Sequence, residues 1–127
     1  MKLDVKELIG KILNTPVVVK TGTSGIWTYR KWSDGTAECW GTWSGNLTNY
    51  ATVTTSMYAY CASVNFPSGL FTSAPVPTYS AFCNGGFALT GTQTNSLTKT
   101  ASSYYLVSSA SGTFPCKFHI YAIGKWK

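Results

Sequence analysis

Ionisable side chains are scarce in this sequence. Of its 127 residues only 11% are charged, against roughly a quarter in ordinary globular domains. The acids are Asp4, Glu7, Asp34 and Glu38, and there is one histidine, His119, and one arginine, Arg30. Each scarcity removes a class of chemistry. A single histidine lodged between Phe118 and Ile120, with no G-x-S-x-G elbow anywhere, leaves no Ser–His–Asp or Cys–His arrangement to assemble. A glycosidase needs two carboxylates facing one cleft. Here Asp34 reads as the turn residue before Gly35, and Glu38 as a cross-strand partner of Arg30 or Lys31. No enzyme is expected. So few acids also argue against a high-affinity calcium site. The cysteines Cys39, Cys61, Cys83 and Cys116 form no C-x-x-C pair, so no structural zinc is expected, and no cofactor. A secretory leader is not expected ahead of them, and they read as reduced thiols acting as small hydrophobes. Gly22-Thr23-Ser24-Gly25 and Asn84-Gly85-Gly86 carry no lysine and open no helix, so they are turns rather than phosphate loops. No apolar run approaches the ~20 residues needed to span a bilayer, so membrane insertion is not expected.

What remains is apolar, aromatic and hydroxyl-rich. The chain is 44% hydrophobic and 15% aromatic, which places it among folded domains rather than disordered segments. Its length fits one domain with a modest core. The net charge of +6 comes from missing acids rather than abundant bases. The basic residues are scattered and almost all lysine, so nucleic acid is not an expected partner. A surface of Ser, Thr, Asn and Gly suits protein partners or sugars, and copies of the same chain are the first partner to expect.

Residues 4–14 form the one good helix pattern. Asp4 caps it, with Glu7 three residues later, and Asn14-Thr15-Pro16 stops it. Val5, Leu8, Ile9 and Ile12 make an apolar stripe, and so short a helix needs a partner for that stripe. A bundle with other copies of the chain is expected, giving residues 1–15 an oligomerising role. From Val17 onward the pattern is β, and residues 16–127 form the β domain. Expected strands cover Val17–Val19, Ile26–Trp32, Thr36–Trp43, Thr52–Val64, Val76–Phe82, Phe87–Thr90, Tyr104–Val107 and Cys116–Trp126. A tight connection is expected at Ser33-Asp34-Gly35 and a loop at residues 45–49. About eight short strands at this spacing point to an antiparallel sandwich or jelly roll behind one short helix. On the last strand Cys116, Phe118, Ile120, Ala122, Gly124 and Trp126 should face the core, leaving Lys117, His119, Tyr121, Lys125 and Lys127 outside.

Aromatic rings with nearby amides and hydroxyls are the usual material of saccharide sites, because a ring packs on the C–H face of a pyranose. The aromatics that strand parity or loop position leaves available are Trp40, Trp43, Tyr50, Tyr58, Tyr60, Tyr79 and Tyr121.

Two segments carry a family resemblance. The stretch from Thr21-Gly22-Thr23-Ser24-Gly25-Ile26-Trp27 through Ser33-Asp34-Gly35-Thr36-Ala37-Glu38-Cys39-Trp40-Gly41 resembles a segment of tail-associated proteins of phages and prophages of Firmicutes. The ending His119-Ile120-Tyr121-Ala122-Ile123-Gly124-Lys125-Trp126-Lys127 is similar to the terminus of the same group, and the junction Asn14-Thr15-Pro16-Val17-Val18-Val19 fits it too. Residues 44–112 carry no such match. The resemblance implies the C-terminal tip of a tail fibre or minor structural protein: a homotrimeric β-rich knob in the virion tail that touches a host cell-surface polysaccharide. It brings no catalytic residues with it. A trimerising cap without a ligand, and a cellular lectin or small carbohydrate-active protein, are the alternative expectations.

Overall fold

Alternation of apolar and polar residues at period two makes strands, and it makes nine of them among the described residues. The computed structural model describes residues 4–8, 15–84, 88–91 and 97–127. The strands are β1 (Val18–Ser24), β2 (Trp27–Trp32), β3 (Thr36–Thr48), β4 (Ala51–Thr54), β5 (Met57–Asn65), β6 (Val76–Cys83), β7 (Ala88–Gly91), β8 (Ala101–Ser108) and β9 (Thr113–Lys125). They form a five-stranded sheet A in the order β1-β2-β3-β9-β6 and a four-stranded sheet B in the order β4-β5-β8-β7. All pairings are antiparallel. The fold is the expected antiparallel sandwich.

The inner faces of the two sheets share one core. Sheet A contributes Trp27, Ala37, Cys39, Cys116, Phe118, Ile120 and Ala122, and sheet B contributes Tyr60, Ala62, Val64, Tyr104 and Leu106. Phe66, Leu70 and Phe71, from the connection after β5, close one side. Phe118 is the junction of the sheets: its ring lies 5.9 Å from Trp43, 5.7 Å from Tyr79 and 6.1 Å from Tyr104. The expected core face of β9 is buried from Cys116 to Ala122, and its lysines face outward. All four cysteines are free thiols, and burial pushes Cys39 and Cys116 up to about 12.

Several boundaries differ from the sequence reading. The Gly22-Thr23-Ser24 expected as a turn is strand, because β1 runs on to Ser24 in register with β2 and only Gly25-Ile26 turn, and β8 begins at Ala101 rather than Tyr104 because its whole length pairs with β5. The loop expected at residues 45–49 is still strand as far as Thr48, because Gly45 to Thr48 continue the ladder with Cys116 to Thr113. The Thr48 and Thr113 hydroxyls, 2.6 Å apart, finish it. The single strand expected over Thr52–Val64 is instead a hairpin of β4 and β5 turning at Thr55-Ser56. That turn contains no glycine or proline, so composition alone does not mark it.

Gly35 holds φ 93° in the β2–β3 turn, a conformation that suits glycine, and its Cα faces the Lys127 carbonyl. A side chain at Gly41 would strike the Ile26 carbonyl oxygen, so β3 passes directly beneath the β1–β2 turn. Both ends of the described β domain meet at the β2–β3 turn. Val17 N–H donates to Ser33 Oγ (3.0 Å), and Trp126 donates through its backbone to Gly35 O (2.9 Å) and through Nε1 to Trp32 O (2.8 Å). Residues 5–8 are helical, capped as expected by Asp4 Oδ1, which accepts from Lys6 N (2.9 Å) and Glu7 N (3.3 Å). The remainder of the expected helix, with Ile9 and Ile12, lies outside the described residues.

Candidate functional site

The register of sheet A places residues of distant sequence in rows across its outer face. One row runs Arg30–Glu38–Ile123–Val76, and the next Thr28–Trp40–Tyr121–Thr78. Glu38 is on the solvent side of the sheet yet only 6% exposed. One carboxylate oxygen, Oε1, accepts from Arg30 Nε at 2.7 Å and from Trp32 Nε1 at 3.0 Å, and the other accepts from the Tyr121 hydroxyl. The Arg30 guanidinium lies 4.9 Å from the Trp40 ring and 5.6 Å from the Trp32 ring. Burial opposes ionisation of Glu38, but the bonds from Tyr121, Trp32 and Arg30 outweigh it and hold the carboxyl below its ordinary value. The same carboxylate, with burial, pushes the Tyr121 phenol up to about 12. The result is a rigid aromatic–guanidinium plate in which the carboxylate is fully engaged.

Further along the same face the sheet is hollow. A depression of about 700 Å³ opens where β3, β9 and β6 lie side by side. Its floor is the rows Ser44–Lys117–Phe82 and Asn46–Pro115, with Asn84 beside Pro115 and His119 at the inner margin. Phe82 is 55% exposed and meets His119 edge-on at 5.2 Å. His119 Nδ1 lies 2.8 Å from Thr42 Oγ1. No carboxylate lines the depression.

The outer face of sheet B is of another kind. Its four strands contain no Asp, Glu, Lys or Arg. Their register brings Ala51, Ala59, Cys61, Ser63, Tyr105, Val107 and Leu89 to that face. Tyr50 lies against Tyr105 with ring centres 6.4 Å apart.

The aromatics expected to meet a ligand scatter over these surfaces. Trp40 and Tyr121 belong to the plate around Glu38. Tyr50 stands exposed beside sheet B. Trp43 is half-buried against Phe118, Tyr58 is half-buried at the margin of the core, and Tyr79 packs between Tyr104 and Phe118 with its hydroxyl on Tyr105 O (2.8 Å). Tyr60 is a correction: it is 0% exposed, with its hydroxyl on Ala110 O, and no ligand can reach it. Parity paired Tyr58 with Tyr60 on one face, and sheet B turns that face inward. In the helix, Val5 and Leu8 are 66% and 40% exposed. Sequence reasoning missed the depression. The outward positions of Lys117 and His119 were readable from β9, but the placing of β6 beside β9, which brings Phe82 and Asn84 next to them, was not. Asp34 Oδ1 accepts from Thr36 N (2.9 Å), as a turn residue should, and this bond holds its carboxyl below the usual value. Among the described residues no three of His, Cys, Asp or Glu gather as a metal site would need.

No family model matches the sequence, and no curated protein matches it. Two solved structures share its fold. An N-truncated R1-type pyocin tail fiber aligns over 98% of this chain and 99% of its own, with a TM-score of 0.55 and 12% identity. A P. aeruginosa R1 pyocin fiber comprising C-terminal residues 323–701 aligns over 91% of this chain, with a TM-score of 0.53 and 10% identity. This chain spans 30% of that second chain.

Proposed function

We propose that the chain is a tail-associated tip module of a phage or phage-like particle, that it works as a homotrimer, and that it contacts a host cell-surface saccharide without catalysis. The observation that carries this reading is the end-to-end likeness to an N-truncated R1-type pyocin tail fiber, 98% of one chain on 99% of the other. Agreement over the whole of both chains, and not over one sheet alone, supports that reading. The surfaces fit the reading. Val5 and Leu8 present an apolar stripe to solvent, and the outer face of sheet B carries no charge. Copies that each bear +6 can meet there without opposing lysines. Asp34 and Glu38 are both held by local hydrogen bonds, which favours contact over acid–base chemistry. The test is twofold. Light scattering on the eluting protein should give three times the chain mass, and a monomer at high concentration overturns the trimer. Purified cell-wall polysaccharide of the host should retain the protein on a column. Failure of retention with an intact trimer would leave only a structural cap.

A further inference from the structure

We propose that the depression over β3, β9 and β6 is the saccharide seat and that its ligand is a hexopyranose carrying a carboxylate, a uronic acid unit of a polysaccharide. This rests on the tip-module reading and adds the place and the charge of the ligand. The volume of about 700 Å³ is that of a small-ligand cleft rather than of a protein groove. The apolar floor is Phe82 and Pro115. Phe82 is 55% exposed and its ring is steadied by the edge contact with His119. A large exposed ring on a strand is an apolar surface awaiting cover, and the C–H face of a pyranose is flat enough to supply it. Around that floor stand the hydroxyl of Ser44 and the amides of Asn46 and Asn84, donors and acceptors suited to sugar hydroxyls.

The charge sets the class. Lys117 sits in the row between Ser44 and Phe82 and has no carboxylate partner among the described residues. The acid on this face of the sheet, Glu38, lies opposite Ile123, six positions further along β9 and hence ~20 Å away, and it is already bound to Arg30. One ammonium without a guanidinium fork matches a single negative charge. Phosphate, with more charge and three acceptor oxygens, is better served by arginine, and Arg30 is in the other plate.

The experiment is a titration of the ¹⁵N-labelled full chain with methyl β-D-glucuronide, methyl β-D-glucoside and glucose 6-phosphate. Amides of Asn46, Phe82, Lys117 and His119 should shift. The glucuronide should bind about fivefold more tightly than the glucoside, the advantage an exposed ion pair provides. Added salt should erode that advantage. Lys117→Gln should abolish that advantage, so that the two glycosides bind alike, Phe82→Ala should weaken both sugars, and Lys99→Gln, which removes the same charge elsewhere, should do neither. Equal affinity for the two glycosides, a preference retained in Lys117→Gln, or tighter binding of glucose 6-phosphate overturns the proposal. If host polysaccharide still retains the Lys117→Gln and Phe82→Ala variants as it retains the wild type, the tip function stands and the seat is elsewhere. If neither sugar nor polysaccharide binds, the seat falls together with the saccharide contact, and only a structural cap is left.

Discussion

Glu38 shows how one side chain sets the character of a surface. Three donors converge on it, and its pKa falls although burial works in the opposite direction. A carboxyl with a lowered folded-state pKa stabilises the fold fully above its unfolded value, and that contribution is lost as pH falls through the folded value. The contribution is therefore complete at pH 7 and withdrawn below the ordinary value of 4.5. Glu38→Gln should cost about 1 kcal/mol at pH 7, since the Arg30 side of the pair is open to solvent. It should also flatten the acid limb of the stability–pH curve, which urea melts at several pH values would record. An unchanged limb would mean that other carboxyls govern it. The Arg30–Glu38 pairing was legible in the sequence because a two-strand hairpin sets its own register. The Tyr121 bond was not, because nothing local says that the last strand lies beside β3. Tyr60 shows the opposite limit: alternation tells which residues share a face and not which face is covered.

The hairpin β2–β3 and the final strand β9 act as one element. They are the two segments that carried the family resemblance, and in the fold they are adjacent strands of sheet A. Trp126 fastens them. Its Nε1 donates to Trp32 O, and its ring receives the Lys31 and Lys127 ammonium groups at 5.1 and 4.8 Å. Trp126→Ala removes the bond and uncovers the turn, and should lower stability by about 2 kcal/mol. A drop in the thermal midpoint of several degrees would register this, whereas an unchanged midpoint would make the C-terminal contact ornamental. The strands of this element were readable because large aromatics alternate with polar residues and Asp34-Gly35 marks the turn. The extension of β3 to Thr48 was not, because Gly45 and Asn46 are loop formers by composition and are held extended by their pairing with Cys116 and Pro115 on β9. The β4–β5 turn escaped for the reverse reason, since Thr55-Ser56 has the composition of a strand.

Across the molecule, charge is strongly segregated. From Cys39 to Thr98 no acidic, basic or histidine residue occurs, and the strands of sheet B fall in that stretch or in β8, which is equally uncharged. This signal was in the sequence but acquires meaning only once those strands prove to form one sheet. If copies associate through sheet B as proposed, Ser63→Lys should convert the proposed trimer to monomer without unfolding it, because Ser63 is exposed and its hydroxyl bonds across to Ser103 Oγ (3.1 Å). Association should also tighten as salt rises, since screening relieves repulsion between copies of charge +6. A trimer indifferent to both would place the interface elsewhere. The meeting of both chain ends at the β2–β3 turn gives the sandwich a polarity. From that pole β9 runs back 13 residues, a span of ~40 Å, and the Phe82–Lys117 basin lies toward its opposite end. Anything joined ahead of Thr15 would attach at that pole, and the basin would lie toward the far end from the point of attachment.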